Sequence, residues 1–124
     1  MNQKKIIYLI DDNELFASTV SNGLKNKLDA EVKVFHTGEE MLENFEDKPD
    51  VIILDYQLNS AVKTAKDGEE ILKEIMVKNP NQNVIMLTSM EDIKKAVNLL
   101  KKGAVDYILK YEDFFDNLLN SLEN

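Results

Sequence analysis

A short apolar run that ends in a carboxylate, VIILD at residues 51–55, constrains the fold of this chain most strongly. Three of its four apolar residues are β-branched, which is typical of a strand buried on both faces. A charge at the end of such a strand is costly unless a metal, a lysine or hydrogen bonds hold it. Ligands of open α/β sheets bind just beyond the carboxyl ends of the strands. Asp55 therefore lies where a catalytic group is expected.

Strand patterns and helix patterns alternate along the chain. The runs IIYLI (6–10) and VIML (84–87) are continuously apolar, whereas EVKVF (31–35) alternates as a half-exposed strand does. With 51–54 and 104–109 they make five predicted strands. A segment with helical apolar spacing and a residue able to cap it follows each strand. The predicted caps are Asn13, Thr37, Asp67, Ser89 and Asp113.

This alternation predicts an α/β fold with a parallel sheet covered by helices on both faces and joined by right-handed crossovers. The strands at 31–35 and 104–109 contain polar residues, so we expect them at the edges of the sheet. The three apolar strands then lie in the middle. The pattern fits a doubly wound, flavodoxin-like sheet of order 2-1-3-4-5 with five helices.

The helix patterns indicate which side chains should face the core. The helix after Asn13 is expected to run to about Leu28, and the helix after Thr37 carries Met41, Leu42 and Phe45. The helix assigned to the Ser89 cap has an apolar face, which consists of Ile93, Ala96, Val97 and Leu100. Residues 56–66 are polar without a clear period, so we expect a loop there.

Composition excludes several classes of function. The chain has 124 residues, 15 basic and 23 acidic, with a net charge of −8 and no cysteine. We expect one domain that has no thiolate metal site and no basic surface for nucleic acid or an anionic membrane. No apolar run approaches the roughly 18 residues of a membrane span. The amino terminus leads into a strand without a signal-peptide pattern, which favours a cytoplasmic protein.

Reactive side chains follow four of the five predicted strands. Asp11 and Asp12 follow the first, Asp55 the third, Thr88 ends the fourth and Lys110 follows the fifth. Carboxyl ends of parallel strands meet at one edge, so the three carboxylates should share a pocket and repel one another. Oxygen ligands without His or Cys favour Mg²⁺ or Mn²⁺. The set suits phosphoryl transfer, with Asp55 as the nucleophile that forms an acyl phosphate.

These residues, at these strand ends, resemble those of a receiver domain of bacterial two-component response regulators. The resemblance covers essentially all of residues 1–124. It implies that a sensor histidine kinase or a phosphotransfer protein phosphorylates Asp55. It also implies Mg²⁺ bound by Asp12, Asp55 and the main-chain carbonyl of Gln57, and by Asp11 through water.

The resemblance further implies a switch. Thr88 would move toward the phosphoryl group, Lys110 would contact it, and Tyr107 would turn inward behind Thr88. The domain would catalyse its own phosphorylation and a slow dephosphorylation, without being a conventional metabolic enzyme. Its output would pass to a downstream protein partner or to a further domain, and it could form a dimer on phosphorylation.

Three departures from the family pattern lie near the site. Asn59 occupies a position where the family usually has proline, and the Asp67-Gly68 pair that opens the next helix follows later than usual. The loop at 56–66 is therefore longer than in most relatives. Tyr111 follows Lys110, where the family usually has proline in a cis bond. A cis bond before a non-proline residue costs about 2.5–4 kcal/mol, so we expect a trans bond.

Two other functions are compatible with parts of this pattern. A small aspartyl-phosphate phosphatase needs a second carboxylate two residues beyond the nucleophile, where this chain has Gln57. A flavin-binding or purely interacting domain of the same fold is the other alternative, but Asp11 and Asp12 would repel a flavin phosphate. His36, the only histidine, is interpreted as a surface residue, so the phosphodonor histidine comes from another protein.

The sequence leaves two questions about the output of the domain open, each with two possible answers. The helix at about 89–102 carries four lysines that form either a solvated face or a docking surface; they are Lys94, Lys95, Lys101 and Lys102. The chain is either a stand-alone receiver that acts on partners or the amino-terminal domain of a larger regulator. In both cases we expect no direct contact with nucleic acid or membrane.

Overall fold

A five-stranded parallel sheet forms the centre of the molecule. The computed structural model describes residues 4–59 and 62–123, apart from the side chain of Asp47. The strands are β1 (Lys5–Ile10), β2 (Ala30–Phe35), β3 (Val51–Leu54), β4 (Asn83–Thr88) and β5 (Asp106–Leu109). Their order is β2-β1-β3-β4-β5, with all neighbouring pairs parallel. The predicted order and the two predicted edge strands are confirmed.

Helices cover both faces of this sheet. They are α1 (Glu14–Lys27), α2 (Gly38–Leu42), α3 (Gly68–Lys78), α4 (Ile93–Lys101) and α5 (Phe114–Glu123). α1 and α5 pack on one face, where Ile7, Leu9 and Ile53 point, and α2, α3 and α4 pack on the other. Successive residues of a strand point to opposite faces, so a continuously apolar strand supplies both cores. In the described residues no helix is long and apolar enough to cross a membrane.

Predicted caps start three of the helices. Asn13 Oδ1 accepts a hydrogen bond from Phe16 N at 3.0 Å, and Thr37 Oγ1 accepts one from Glu40 N at 3.1 Å. Asp67 and Glu70 form a complete capping box at the start of α3. These bonds satisfy backbone donors that the first helical turn cannot pair internally.

Two predicted helix boundaries are wrong. α2 ends at Leu42, and Phe45 lies in a separate 3₁₀ turn, Phe45–Asp47. α4 is capped by Asp92 and not by Ser89, since Asp92 Oδ1 accepts a hydrogen bond from Lys95 N at 3.1 Å. The carboxylate cap directly precedes the first helical residue, so Ser89 is left in the β4–α4 loop.

The apolar face predicted for α4 is largely exposed to solvent. Ile93, Val97 and Leu100 are 81%, 45% and 42% exposed, whereas Leu99 is fully buried. Periodicity shows that a helix has an apolar face, but it does not show what covers that face. α4 therefore contributes one buried leucine to the core and presents an apolar stripe to solvent.

Candidate functional site

Three carboxylates meet at the carboxyl ends of the two central strands β1 and β3. Asp11, Asp12 and Asp55 each offer an oxygen, and these oxygens all lie within 4.8 Å of one another. The backbone continues the sheet into the site, because Asp55 N donates to Ile10 O at 3.0 Å. Asp11 is 1% exposed and Asp55 is 5% exposed. The sheet therefore holds two buried carboxylates in contact distance of a third, as the sequence predicted.

Lys110 partly compensates this charge. Lys110 Nζ donates to Asp11 Oδ2 at 2.8 Å and to Asp55 Oδ2 at 3.4 Å. Lys110 N donates to Thr88 O at 3.0 Å, so the lysine is fixed to the end of β4 as well. The described residues contain no cis peptide bond, and the predicted trans bond between Lys110 and Tyr111 is confirmed. Lys110 thus reaches both carboxylates without the usual cis proline.

The pKa of Asp55 is raised by its burial and by the negative charge beside it. Burial, and next the charge of Asp11, raise this pKa from 3.8 to about 6. The ammonium of Lys110 and the main-chain N–H of Gln57, 3.4 Å from Asp55 Oδ1, oppose the increase without cancelling it. A carboxylate held above its ordinary pKa is one that an additional cation would stabilise. The donor set is all oxygen, which fits Mg²⁺ or Mn²⁺.

A shallow cavity of about 430 Å³ opens above these groups. It is lined by Asp11, Asp12, Asn13, Asp55, Gln57, Ser89 and Lys110. Ser89 and Asn13 were assigned only as helix caps from the sequence. Ser89 directly follows Thr88 and Asn13 directly follows Asp12, and these positions indicate that both lie at the same edge of the sheet.

Thr88 and Tyr107 are connected through Met90, a residue that the sequence did not indicate. Thr88 is fully buried, and its Oγ1 accepts a hydrogen bond from Met90 N at 3.2 Å. The hydroxyl of Tyr107 donates to Met90 O at 2.5 Å. Burial raises the pKa of Tyr107, followed by the charge of Asp92. Both predicted switch residues therefore hold the β4–α4 loop, and the Thr88 side chain does not line the cavity.

The loop after β3 is anchored despite its length. Gly68 N donates to Tyr56 O at 2.7 Å, and a Cβ at Gly68 would lie 2.4 Å from Asp55 O. Only glycine allows α3 to begin this close to the backbone of Asp55. Leu58 is fully buried, which the polar composition of this segment did not predict. Residues 60 and 61 of the predicted loop lie outside the described residues.

The other residues singled out from the sequence lie around the site. His36 is exposed as predicted, and its Nδ1 donates to Asp11 O at 3.1 Å. Lys95 Nζ donates to the hydroxyl of Tyr56 at 2.8 Å, and Lys102 Nζ donates to Glu69 Oε2 at 2.7 Å. Two of the four lysines of this segment thus hold α4 against its neighbours.

Comparison with known proteins decides the family. The family model for the response regulator receiver domain matches residues 7–123. The chain belongs to the response regulator receiver family. Chemotaxis protein CheY of Listeria monocytogenes is 33% identical over 117 residues, which is 93% of each chain. Receiver domains bind Mg²⁺ at an acidic pocket and work with histidine kinases; in this receiver the corresponding cluster is Asp11, Asp12 and Asp55.

Longer proteins carry similar receivers. The transcriptional regulatory protein ZraR of Escherichia coli K12 is 31% identical over 124 residues, which cover 99% of this chain and 27% of ZraR. The BeF3-activated amino-terminal receiver domain of RstA from Klebsiella pneumoniae superposes with a TM-score of 0.83. It is 26% identical and covers 96% of both chains. The chain thus spans about a quarter of the length of its ZraR relatives.

Proposed function

We propose that this receiver is a phosphorylation-dependent switch in which Asp55 accepts a phosphoryl group from a partner phosphohistidine. The observation that carries the proposal is the position of the Asp55 carboxylate, buried beside Asp11 and Asp12 and in contact with Lys110. The donor is a sensor histidine kinase or a phosphotransfer protein. The described structure has one histidine, His36, which is engaged with Asp11 O and belongs to the β2–α2 connection.

In the proposed transfer, an Asp55 carboxylate oxygen attacks the phosphorus atom and forms an acyl phosphate. The bond between phosphorus and the imidazole nitrogen breaks, and its electron pair returns to the imidazole, which takes up a proton. Lys110 stabilises the negative charge on the phosphoryl oxygens. Asp12, Asp55, the carbonyl of Gln57 and, through water, Asp11 would hold Mg²⁺. When bound, the ion supplies the positive charge that three carboxylates and a phosphoryl group require.

The switch follows from the contacts of Thr88. Its hydroxyl is engaged with Met90 N, so a move toward the phosphoryl group would release the amide of the β4–α4 loop. Tyr107 holds the carbonyl of the same residue and would transmit the change to the face formed by α4, β5 and α5. Thr88 and Tyr107 would therefore act as a pair through one peptide segment.

Slow dephosphorylation is part of the proposal. The position two residues beyond Asp55 is the exposed Gln57, which cannot act as the acid or base that an aspartyl-phosphate phosphatase requires. The phosphatase alternative is not favoured by the family either. The domain would acquire a phosphoryl group, hold it for a time and lose it slowly.

The output surface that we propose is the exposed stripe of α4 together with Val105 before β5. Ile93, Val97, Leu100 and Val105 are all more than 40% exposed. A downstream protein, an output domain or a second phosphorylated copy would cover it. Direct binding of nucleic acid is not expected at a net charge of −8. The proposal places the protein in the cytoplasm, because a kinase draws its phosphoryl groups from intracellular ATP.

Phosphorylation by a small-molecule donor tests the function. The purified chain is incubated with acetyl phosphate, with Mg²⁺ or with EDTA, and intact mass reports the acyl phosphate. We expect Mg²⁺-dependent, acid-labile uptake, as for an acyl phosphate, that Asp55→Asn abolishes. Asp116→Asn, an exposed carboxylate on α5, is the matched control and should retain full uptake. Undiminished uptake by Asp55→Asn would overturn the assignment.

A further inference from the structure

The ammonium of Lys110 has an aromatic neighbour besides its two carboxylates. Lys110 Nζ lies 4.2 Å from the centroid of the Phe16 ring, on the first turns of α1. A lysine within about 6 Å of an aromatic face is attracted by the ring quadrupole. The side chain of Lys110 is only 14% exposed, so water screens this attraction weakly.

The packing of α1 against α5 fixes the Phe16 ring. Its centroid lies 5.2 Å from that of Phe114, which in turn lies 6.2 Å from that of Phe115 in an edge-to-face arrangement. Gly23 makes room for the third ring, because a Cβ there would lie 2.8 Å from Phe115 atoms. The ring below the site lysine is therefore part of a helix–helix contact and not a freely moving side chain.

The Phe16 ring differs from the two carboxylates in how its contact with Lys110 should behave during the reaction. Asp11 and Asp55 are the groups that a cation and a phosphoryl group would engage, so their hold on Lys110 must change during the reaction. The face of the Phe16 ring binds neither the cation nor the phosphoryl group, so its contact with Lys110 can persist during the reaction. Tyr111 follows Lys110 in a trans bond, so the lysine is directed here without the constraint of a cis proline.

We propose that Phe16 is a positioning residue that holds the ammonium of Lys110 toward the phosphoryl site. The proposal rests on the proposed function, since it concerns the same transfer to Asp55. Phe16 itself would touch neither the phosphoryl group nor the metal. Its effect should appear in the rate of phosphoryl uptake and not in the affinity for Mg²⁺.

Three substitutions test this role in the full chain. Phe16→Leu removes the ring, Phe16→Tyr keeps it, and Phe115→Leu removes a ring of the same cluster that lacks the lysine contact. With acetyl phosphate and saturating Mg²⁺ we expect Phe16→Leu to slow uptake about threefold to tenfold, the range that a loss of one partly buried cation–π contact predicts. Phe16→Tyr and Phe115→Leu should keep rates near the wild type, and all three should keep the wild-type Mg²⁺ affinity.

Two measurements separate the electrostatic role from packing. Phenylalanines fluorinated stepwise at position 16 keep the ring shape and weaken its quadrupole, so the rate should fall with each added fluorine while the melting temperature holds. In a Lys110→Met background, Phe16→Leu should cause no further loss. A rate that does not change with fluorination would overturn this inference but not the proposed function. So would a loss of rate caused by Phe16→Leu that is as large in the Lys110→Met background as in the wild type. Absence of uptake by the wild-type protein would overturn the proposed function and this inference with it.

Discussion

Tyr107 donates a 2.5 Å hydrogen bond from its hydroxyl to the main-chain carbonyl of Met90. The amide of Met90 is held at the same time by the hydroxyl of Thr88. Met90, one residue of the β4–α4 loop, is thus hydrogen-bonded to both side chains that the sequence predicted as the switch. The relationship makes the loop, and not the strand ends alone, the element that connects the site with the α4 surface.

Tyr107→Phe should uncouple this loop from β5. The ring is retained, so we expect a loss of only about 1 kcal/mol in the free energy of unfolding. Hydrogen exchange at the amides of the β4–α4 loop should become faster, while phosphoryl uptake by Asp55 stays near the wild-type rate. Tyr111→Phe is the matched control, because Tyr111 contacts Glu91 of the same loop from the exposed side. Equal protection of the loop in Tyr107→Phe and wild type would contradict the proposed coupling.

The pH dependence of stability should show the raised pKa of Asp55. The pKa increases from 3.8 to about 6 on folding, so the folded protein binds this proton more tightly than the unfolded chain. The contribution is fully present below pH 3.8 and is lost as the pH rises through about 6. Without metal, Asp55→Asn should therefore be more stable than wild type at pH 7, by up to about 3 kcal/mol.

Chemical denaturation at several pH values measures this difference. The advantage of Asp55→Asn should shrink as the pH falls and should approach zero well below pH 3.8, where the wild-type carboxyl is protonated in both states. Asp116→Asn removes a carboxylate from the exposed side of α5 and is the control for the substitution itself. A wild-type protein that gains stability relative to Asp55→Asn between pH 4 and pH 7 would show that the sign is wrong.

Metal binding and the lysine contact should be separable. Asp12→Asn removes a proposed ligand, so we expect Mg²⁺ affinity to fall by an order of magnitude or more, in the range typical of a lost charged ligand. Lys110→Ala should leave Mg²⁺ binding nearly intact and should prevent phosphorylation from changing the α4 surface. Titration with Mg²⁺ measures the affinity for the metal. A comparison of spectra with and without a beryllofluoride complex measures the change of the α4 surface. An equal loss of affinity in the two variants would show that Lys110 supports the metal site directly.

Truncation of Leu99 should lower the stability of the protein far more than truncation of Leu100. Leu99 is fully buried and Leu100 is 42% exposed, although they are neighbours on α4. Leu99→Ala should cost about 3 kcal/mol of stability because it leaves a cavity in the core. Leu100→Ala should cost about 0.5 kcal/mol or less and should weaken binding of the partner that covers the stripe. Thermal denaturation measures the loss of stability in both variants. A similar loss in the two would contradict the observed orientation of α4.

The sequence alone determined the sheet and the composition of the site. Three continuously apolar strands had to lie between two covering layers of helices, and the carboxyl ends of parallel strands necessarily meet at one edge. Asp11, Asp12, Asp55 and Lys110 could therefore be assigned to one site from their positions directly after strands. The trans bond after Lys110 was predicted for a similarly local reason, the cost of a cis bond before a non-proline residue.

Only the tertiary structure decided how the surrounding residues are used. Which face of α4 is buried depends on what the rest of the chain places against it, so Leu99 points inward and Ile93 outward. Met90 and Phe16 acquire their positions from contacts with Tyr107 and Lys110 that are 17 and 94 residues away in the chain. Such pairings arise because packing joins elements that are distant in sequence, and neither periodicity nor local spacing carries that information.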